Sequence, residues 1–468
     1  MFTSLSRQGK VLLLVCTISL VTIWTCRLPQ LCIFDQRPHA TAAITSCPSS
    51  HAHHEQSGSS VDADLSAPDA PFVSWPLARV CSENKRWTPG LVFICDNNSG
   101  GIGNIRNFIL TCLRYAIESG ATGLTLPTIQ TRSEAKLADL FVGKKLPFAY
   151  FFDEAHFRAG LSEACPQITI YGGGLGDVPG LDAEELSTGR VKPEQITPNH
   201  FGRRGGCDAR DLNRHGGLFG ERFHVFLRER QEQLGLGPVS ASSPKLVRMN
   251  WGVQWNWPVM QDGPEFTASF GGLLRFRDDI LALGGRTADA MDKLAAGRGF
   301  VGIHLRTESD ALGAWPTFEN QTAAYLAKIA GLDPPLPEYA YLATGNATEA
   351  ARLAALAAAQ QGLRVVTKHE LLRLADDGDE LLRQLDALSW DQQALVDFVV
   401  LLRCGYFLGV SPSSFSMNVA LKRHLRADGL YTRPWRIGSS EGDGRSWLIG
   451  KYDNYWEDWL FMYDSLWP

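Results

Sequence analysis

The spacing of apolar and polar positions changes character at about residue 89. Beyond it, short apolar runs with β-branched members alternate with amphipathic stretches of ten or more residues. Leu91–Cys95 reads as a strand, Ile105–Ser119 as a helix that stops at Gly120, and Thr122–Pro127 as the next strand. The second half repeats the alternation, with strands at 299–305, 339–344, 363–367 and 406–410 and helices at 348–361, 391–403 and 415–425. Such a series predicts parallel sheets joined by crossover helices. The simplest packing is an α/β arrangement of two Rossmann-like domains, 89–290 and 291–468, facing a cleft. Residues 170–220, rich in Gly and Pro, read as long loops. The aromatic run Tyr455–Tyr463 is too apolar to lie in water and predicts a closing helix packed across the domains.

The part before residue 89 follows other rules. Residues 11–27 are almost uncharged and apolar, with Arg7 and Lys10 ahead of them. They read as a single-pass membrane anchor with residues 1–10 as a cytosolic tail. A cleaved signal peptide is the competing reading, although no clean small-x-small site follows. Residues 28–88, with much Ser, Ala, His, Asp and Pro, read as a flexible stem, because they offer little apolar surface to bury. A type II protein of the Golgi or endoplasmic reticulum, with a luminal catalytic part, is expected. The sequons at Asn97, Asn320 and Asn346 agree with that placement.

Composition excludes several classes. The chain is 44% hydrophobic and 20% charged, with 45 Lys plus Arg against 50 Asp plus Glu. It has no block of like charge, so it lacks the basic stripe that nucleic-acid binding needs. Ten cysteines without a C-x-x-C pair fit neither a zinc module nor a disulfide mini-scaffold.

Three segments can carry chemistry. Gly100-Gly101-Ile102-Gly103-Asn104-Ile105-Arg106-Asn107 joins a strand to a helix, where glycines admit a ligand to main-chain N–H groups. Gly101, Gly103, Asn104 and Arg106 are candidates there. In Ile303-His304-Leu305-Arg306-Thr307-Glu308-Ser309-Asp310, the two-residue period puts His304 and Arg306 on one face. A forked guanidinium at a strand's C-terminal end suits a phosphate group. The competing reading is an ordinary Arg306–Glu308 surface pair. In Phe407-Leu-Gly-Val-Ser-Pro-Ser413-Ser414-Phe415, hydroxyls and a helix start form a diphosphate cradle, or simply a helix cap. Asp62-Ala-Asp64 and Asp377-Gly-Asp379 match an Asp-x-Asp metal pattern, but read as stem and helix-start acids.

In their order and spacing these segments resemble the O-fucosyltransferase superfamily, in particular its fungal members. Tyr341-Leu-Ala-Thr-Gly345 and Ala394-Leu-Val-Asp-Phe398 extend the likeness, which spans residues 91–425. The resemblance implies a GT-B fold, a GDP-sugar donor (usually GDP-fucose), inversion at the anomeric carbon, and no essential metal or other cofactor. It places Arg306 on the donor diphosphate, Ser413 and Ser414 near phosphate, Phe415 near guanine, Asp397 close to the nucleotide, and Asn104 near the reaction centre. Arg106, Glu308 and Asp310 depart from the family pattern. Glu308 is the first choice for a base that deprotonates the acceptor hydroxyl, and Asp310 the second. The acceptor is a hydroxyl of a protein or glycan. Rival readings are a transferase for another nucleotide sugar and an inactive carbohydrate-binding protein of the same fold.

Overall fold

The computed structural model describes residues 64–133, 137, 139, 142–172, 174–181, 219–310, 315–431 and 443–468. The expected anchor and the loops of 182–218 lie outside these. Among the described residues no helix is long and apolar enough to cross a membrane.

Six strands belong to the first half: β1 (Thr88–Ile94), β2 (Ala121–Thr125), β3 (Ile129–Gln130), β4 (Lys145–Leu146), β5 (Thr169–Tyr171) and β6 (Lys245–Arg248). Four of them form a parallel sheet in the order β5-β2-β1-β6, while β3 and β4 make a small antiparallel pair. The second half contributes β7 (Val301–His304), β8 (Tyr339–Ala343), β9 (Arg364–Val366), β10 (Tyr406–Val410) and β11 (Ser446–Ile449). These build a second parallel sheet, ordered β11-β10-β7-β8-β9. Leu91 to Ile94 of β1 and all of β7 are buried, and the β1 stretch is accordingly an unbroken apolar run rather than an alternating one. The expected α/β architecture with parallel sheets is therefore present.

Helix ends are closed by local chemistry. Ser389 caps Trp390–Arg403 in a reciprocal box with Gln392. The fully buried Arg423 donates to the carbonyls of Leu402 (3.0 Å) and Cys404 (2.6 Å) at that helix's far end. Its charge suits the negative pole of the helix as well as the unpaired oxygens.

Three expectations need correction. Residues 64–88 are not stem. Leu65 and Ser66 are buried, Trp75–Glu83 is a helix, and a Cys81–Cys165 disulfide ties it to the helix Glu154–Ala164. A second disulfide, Cys95–Cys112, joins the end of β1 to the helix Ile102–Glu118. The helix Asp278–Leu294 packs with the second half, before the expected boundary at 290. Val399 leaves room only for a glycine at 284, and Arg403 pairs with Asp289 (2.6 Å) and Asp292 (2.8 Å). Residues 455–461 form turns instead of the expected closing helix, and helical structure in the tail is confined to Met462–Ser465.

The tail nevertheless crosses back to the first half, and Arg106 holds it there. The Arg106 guanidinium is buried and donates to the main-chain oxygens of Trp467 (2.7 Å) and Pro468. Asn107 donates to the Ser465 carbonyl (2.9 Å) and accepts from the Trp467 N–H (3.1 Å). The Trp467 indole packs against Phe266 and Phe270, and its N–H reaches Thr111 (3.1 Å). Arg106 is thus a structural anchor and not a ligand for anything in the cleft. Burial lowers its pKa to about 10, still far above neutrality. Gly271 is required at this junction, because a Cβ there would lie 1.8 Å from the Pro468 oxygen.

Arg106→Leu should leave those oxygens unpaired and cost about 2–4 kcal/mol. The check is a lowered denaturation midpoint together with faster amide exchange over residues 455–468. Unchanged exchange there would contradict the anchoring role.

Candidate active site

The C-terminal ends of β1, β6, β7, β8, β9 and β10 open onto one cleft of about 630 Å³. Ligands gather at such ends because the following helix starts leave N–H groups unpaired. The first half supplies Gly101, Asn104, Trp251 and Trp255. The second supplies His304, Arg306, Glu308 and Asp310, then Gly345, Lys368, Asp397 and Ser413 to Phe415.

Arg306 lies just past β7, fixed by its own backbone. Its N–H donates to Gln321 Oε1 (3.1 Å), and Gln321 Nε2 donates to its carbonyl (2.9 Å). The guanidinium donates to Glu308 through Nη1 (2.6 Å) and to Asp310 through Nη2 (2.6 Å). Trp315 lies against it, 5.4 Å from ring centre to Cζ. The Arg306 side chain is only 12% exposed, so this is a buried cleft pair and not the surface pair considered from the sequence. Burial disfavours the charge on Arg306, but Glu308 and Asp310 more than offset it and raise its pKa.

Asp310 also accepts from Arg132 Nη1 (2.7 Å). Arg132 follows β3 in the first half, so one carboxylate joins guanidinium groups from the two halves. Arg132 also faces Asp391 (3.8 Å) and lies over Trp390 at 4.9 Å. The ionic wall therefore contains Arg132, Arg306 and Lys368 against Glu308, Asp310, Asp391 and Asp397. It is paired rather than uniformly positive.

Glu308 is held by both oxygens: Oε2 accepts from Arg306 and Oε1 from the Gly345 N–H (2.8 Å). Burial alone would raise its pKa, but the charge of Arg306 and the Gly345 bond hold it below the usual carboxylate range. A carboxylate so held takes up protons poorly. Its geometry suits orienting Arg306 better than the role of base expected from the sequence.

His304 is neutral. Its Nδ1 lies 2.6 Å from Ser416 Oγ, which itself accepts the Val410 N–H (3.1 Å). Burial lowers the imidazole pKa to about 4. Phe415 packs on the imidazole at 4.6 Å and on Phe398 at 5.6 Å, lining the cleft and filling core at once. Asp397 accepts from Tyr341 (2.6 Å) and Lys368 (2.8 Å). Ser413 caps the helix Ser414–His424, accepting the Ser416 N–H at 3.4 Å.

Gly103 is corrected to a packing role. A Cβ there would lie 2.7 Å from the Ser414 carbonyl carbon, so this glycine lets two helix starts touch. Asp377 pairs with Arg286 on the surface, away from the cleft. Sequence reasoning missed Arg132, Lys368, Asp391 and the cleft indoles of Trp251, Trp255, Trp315, Trp390 and Trp459. The cluster Trp251-Gly-Val-Gln-Trp255-Asn-Trp257 just after a strand was the available signal.

Because the folded state holds His304 neutral and the unfolded chain does not, the unfolded chain binds the extra proton between pH 6.5 and about 4. Stability from this group is complete above pH 6.5 and declines by about 3 kcal/mol as pH falls through that window. His304→Asn should flatten this part of the urea-midpoint profile, and an unaltered slope would contradict the buried neutral ring.

Residues 259–426 match the family model described as GDP-fucose protein O-fucosyltransferase. No curated protein matches the chain. Among solved structures, the fucosyltransferase NodZ from Bradyrhizobium is 16% identical, with a TM-score of 0.36 over 72% of this chain and 95% of that one. POFUT1 in complex with GDP-fucose is 14% identical, with a TM-score of 0.38 over 73% and 96%. A mutant of Arabidopsis thaliana FUT1 in complex with GDP is 12% identical, with a TM-score of 0.34 over 74% and 71%. The family match contains Arg306, Glu308, Asp310, Asp397 and the Ser413–Phe415 segment, so the second half of the chain is similar to O-fucosyltransferases.

Proposed function

We propose that the protein transfers fucose from GDP-fucose to an acceptor hydroxyl, with inversion at the anomeric carbon, in a GT-B arrangement of its two sheets. The observation that carries this reading is Arg306. It is a buried, permanently charged fork at a strand end, beside the helix start at Ser414, inside the segment that matches the family. The family description names the same donor.

The reaction breaks the bond between the anomeric carbon and the phosphate oxygen. It forms a bond from the acceptor oxygen on the opposite face, and the hydroxyl proton passes to the departing diphosphate or to water. The leaving diphosphate needs positive charge, which Arg306 and the N–H groups at the helix start after Ser413 supply. Arg306 can exchange Asp310 for the incoming phosphates while Arg132 retains the carboxylate. Glu308, Asp310, Asp391 and Asp397 each face a cation. The arrangement thus favours leaving-group stabilisation over a strong base. No metal is assigned a step. The two disulfides suit an oxidising compartment. A luminal location in the secretory pathway, held by residues 11–27, belongs to the same proposal.

Arg306→Lys replaces the fork with a point charge and should lower turnover by about 10²–10³-fold while the protein folds normally. The assay is GDP release from GDP-fucose with and without EDTA. Near-native turnover in the variant, or loss of native activity with EDTA, would overturn the corresponding part of the reading. GDP should raise the melting temperature and UDP should not.

A further inference from the structure

The cleft has two chemically different walls. Arg306 and Arg132 lie against Trp315 and Trp390, so those indoles belong to the ionic wall. The other wall is built from Trp251 and Trp255 after β6 and from Trp459 of the C-terminal tail. Trp255 and Trp459 both lean on Phe461, at 5.7 Å and 5.6 Å between ring centres. The Trp251 indole N–H donates to the Ser99 carbonyl (3.4 Å), which fixes its plane beside the glycine turn. Trp251 and Trp459 are half-buried, and both line the cleft.

Trp459 is held at a cost. Its φ is +62°, the left-handed region that a bulky side chain avoids. Such strain persists only where the surroundings fix it, and it concentrates at functional sites. The surroundings do fix it here: Arg106, Asn107 and Thr111 secure residues 465–468 a few residues further on. The tail therefore acts as an anchored strap that brings one indole to the cleft.

We propose that Trp459, with Trp251, forms an acceptor subsite, and that the acceptor is a carbohydrate rather than a peptide; this rests on the donor reading above. A pyranose ring presents a patch of C–H groups on one face, polarised positively, which stacks on the negative face of an indole. Flat indoles at the rim of a polar cleft suit such a ring, which keeps its hydroxyls free for the ionic side. A peptide recognised by strand addition would pair along an edge such as that of β6. The first sheet instead presents to the cleft the end of β6 and the indoles that follow it.

The full chain is assayed with GDP-fucose against cellotetraose, chitotetraose, mannotetraose and a Ser/Thr peptide library. A neutral oligosaccharide should accept label and quench tryptophan fluorescence. Trp459→Ala should raise the acceptor KM at least tenfold more than the donor KM, and Trp459→Phe should recover most of that loss. Trp459→Gly, which relieves the left-handed strain, controls for folding: it should melt no lower than Trp459→Ala and share its acceptor defect. Labelling of peptides alone, or equal changes in the two KM values, would overturn the inference. If GDP does not bind, the donor reading falls, and quenching by the oligosaccharide, lost in Trp459→Ala, then decides the subsite. If GDP binds and no oligosaccharide quenches or reacts, only the subsite falls.

Discussion

One carboxylate shared by two guanidinium groups organises the cleft. Asp310 accepts from Arg306, which belongs to the second sheet, and from Arg132, which belongs to the first half. Removing one partner from a buried charge pair is costly, since the other is left without compensation. Arg306 is therefore held in place before any ligand arrives. The same paired state lets a phosphate replace Asp310 on one guanidinium while the other keeps it, so no isolated charge is created. Glu308, held by Arg306 and the Gly345 N–H, keeps the remaining arm of the fork in register.

A second constraint runs through the chain's end. The helix Ile102–Glu118 begins at the glycine turn in the cleft, and its Arg106 and Asn107 secure the returning tail. Gly103 lets that helix start touch Ser414 of the second half. Elements of the second half and the returning tail therefore meet on one helix. The position of Trp459 depends on the same residues that set the first turn of that helix.

Much of the fold was legible because parallel strands and crossover helices leave distinct periods. The strand at 406–410 and the helix at 391–403 lie where the pattern put them, within a residue. The tail was not legible. Its apolar content correctly implied packing, but Tyr455, Trp456, Trp459 and Phe461 pack their rings, only Phe461 fully buried, from turns where no period reports structure. Residues 64–88 are too polar to reveal that Cys81 is tied to Cys165. In the cleft, Arg306, His304, Asp310 and the Ser413–Phe415 segment were readable because strand ends mark ligand positions. Arg132 was not, because its role comes from a partner 178 residues away. Arg106 misled for a physical reason: a cation in a glycine turn looks like a phosphate ligand, but it follows the helix's inner face to the tail.

The account stands on Arg306 exchanging a carboxylate for phosphate. A crystal structure of the full chain with GDP tests this most directly. The account predicts the diphosphate within hydrogen-bond distance of the Arg306 guanidinium, with Asp310 still on Arg132. A nucleotide bound elsewhere, with Arg306 still clamped between Glu308 and Asp310, would contradict it.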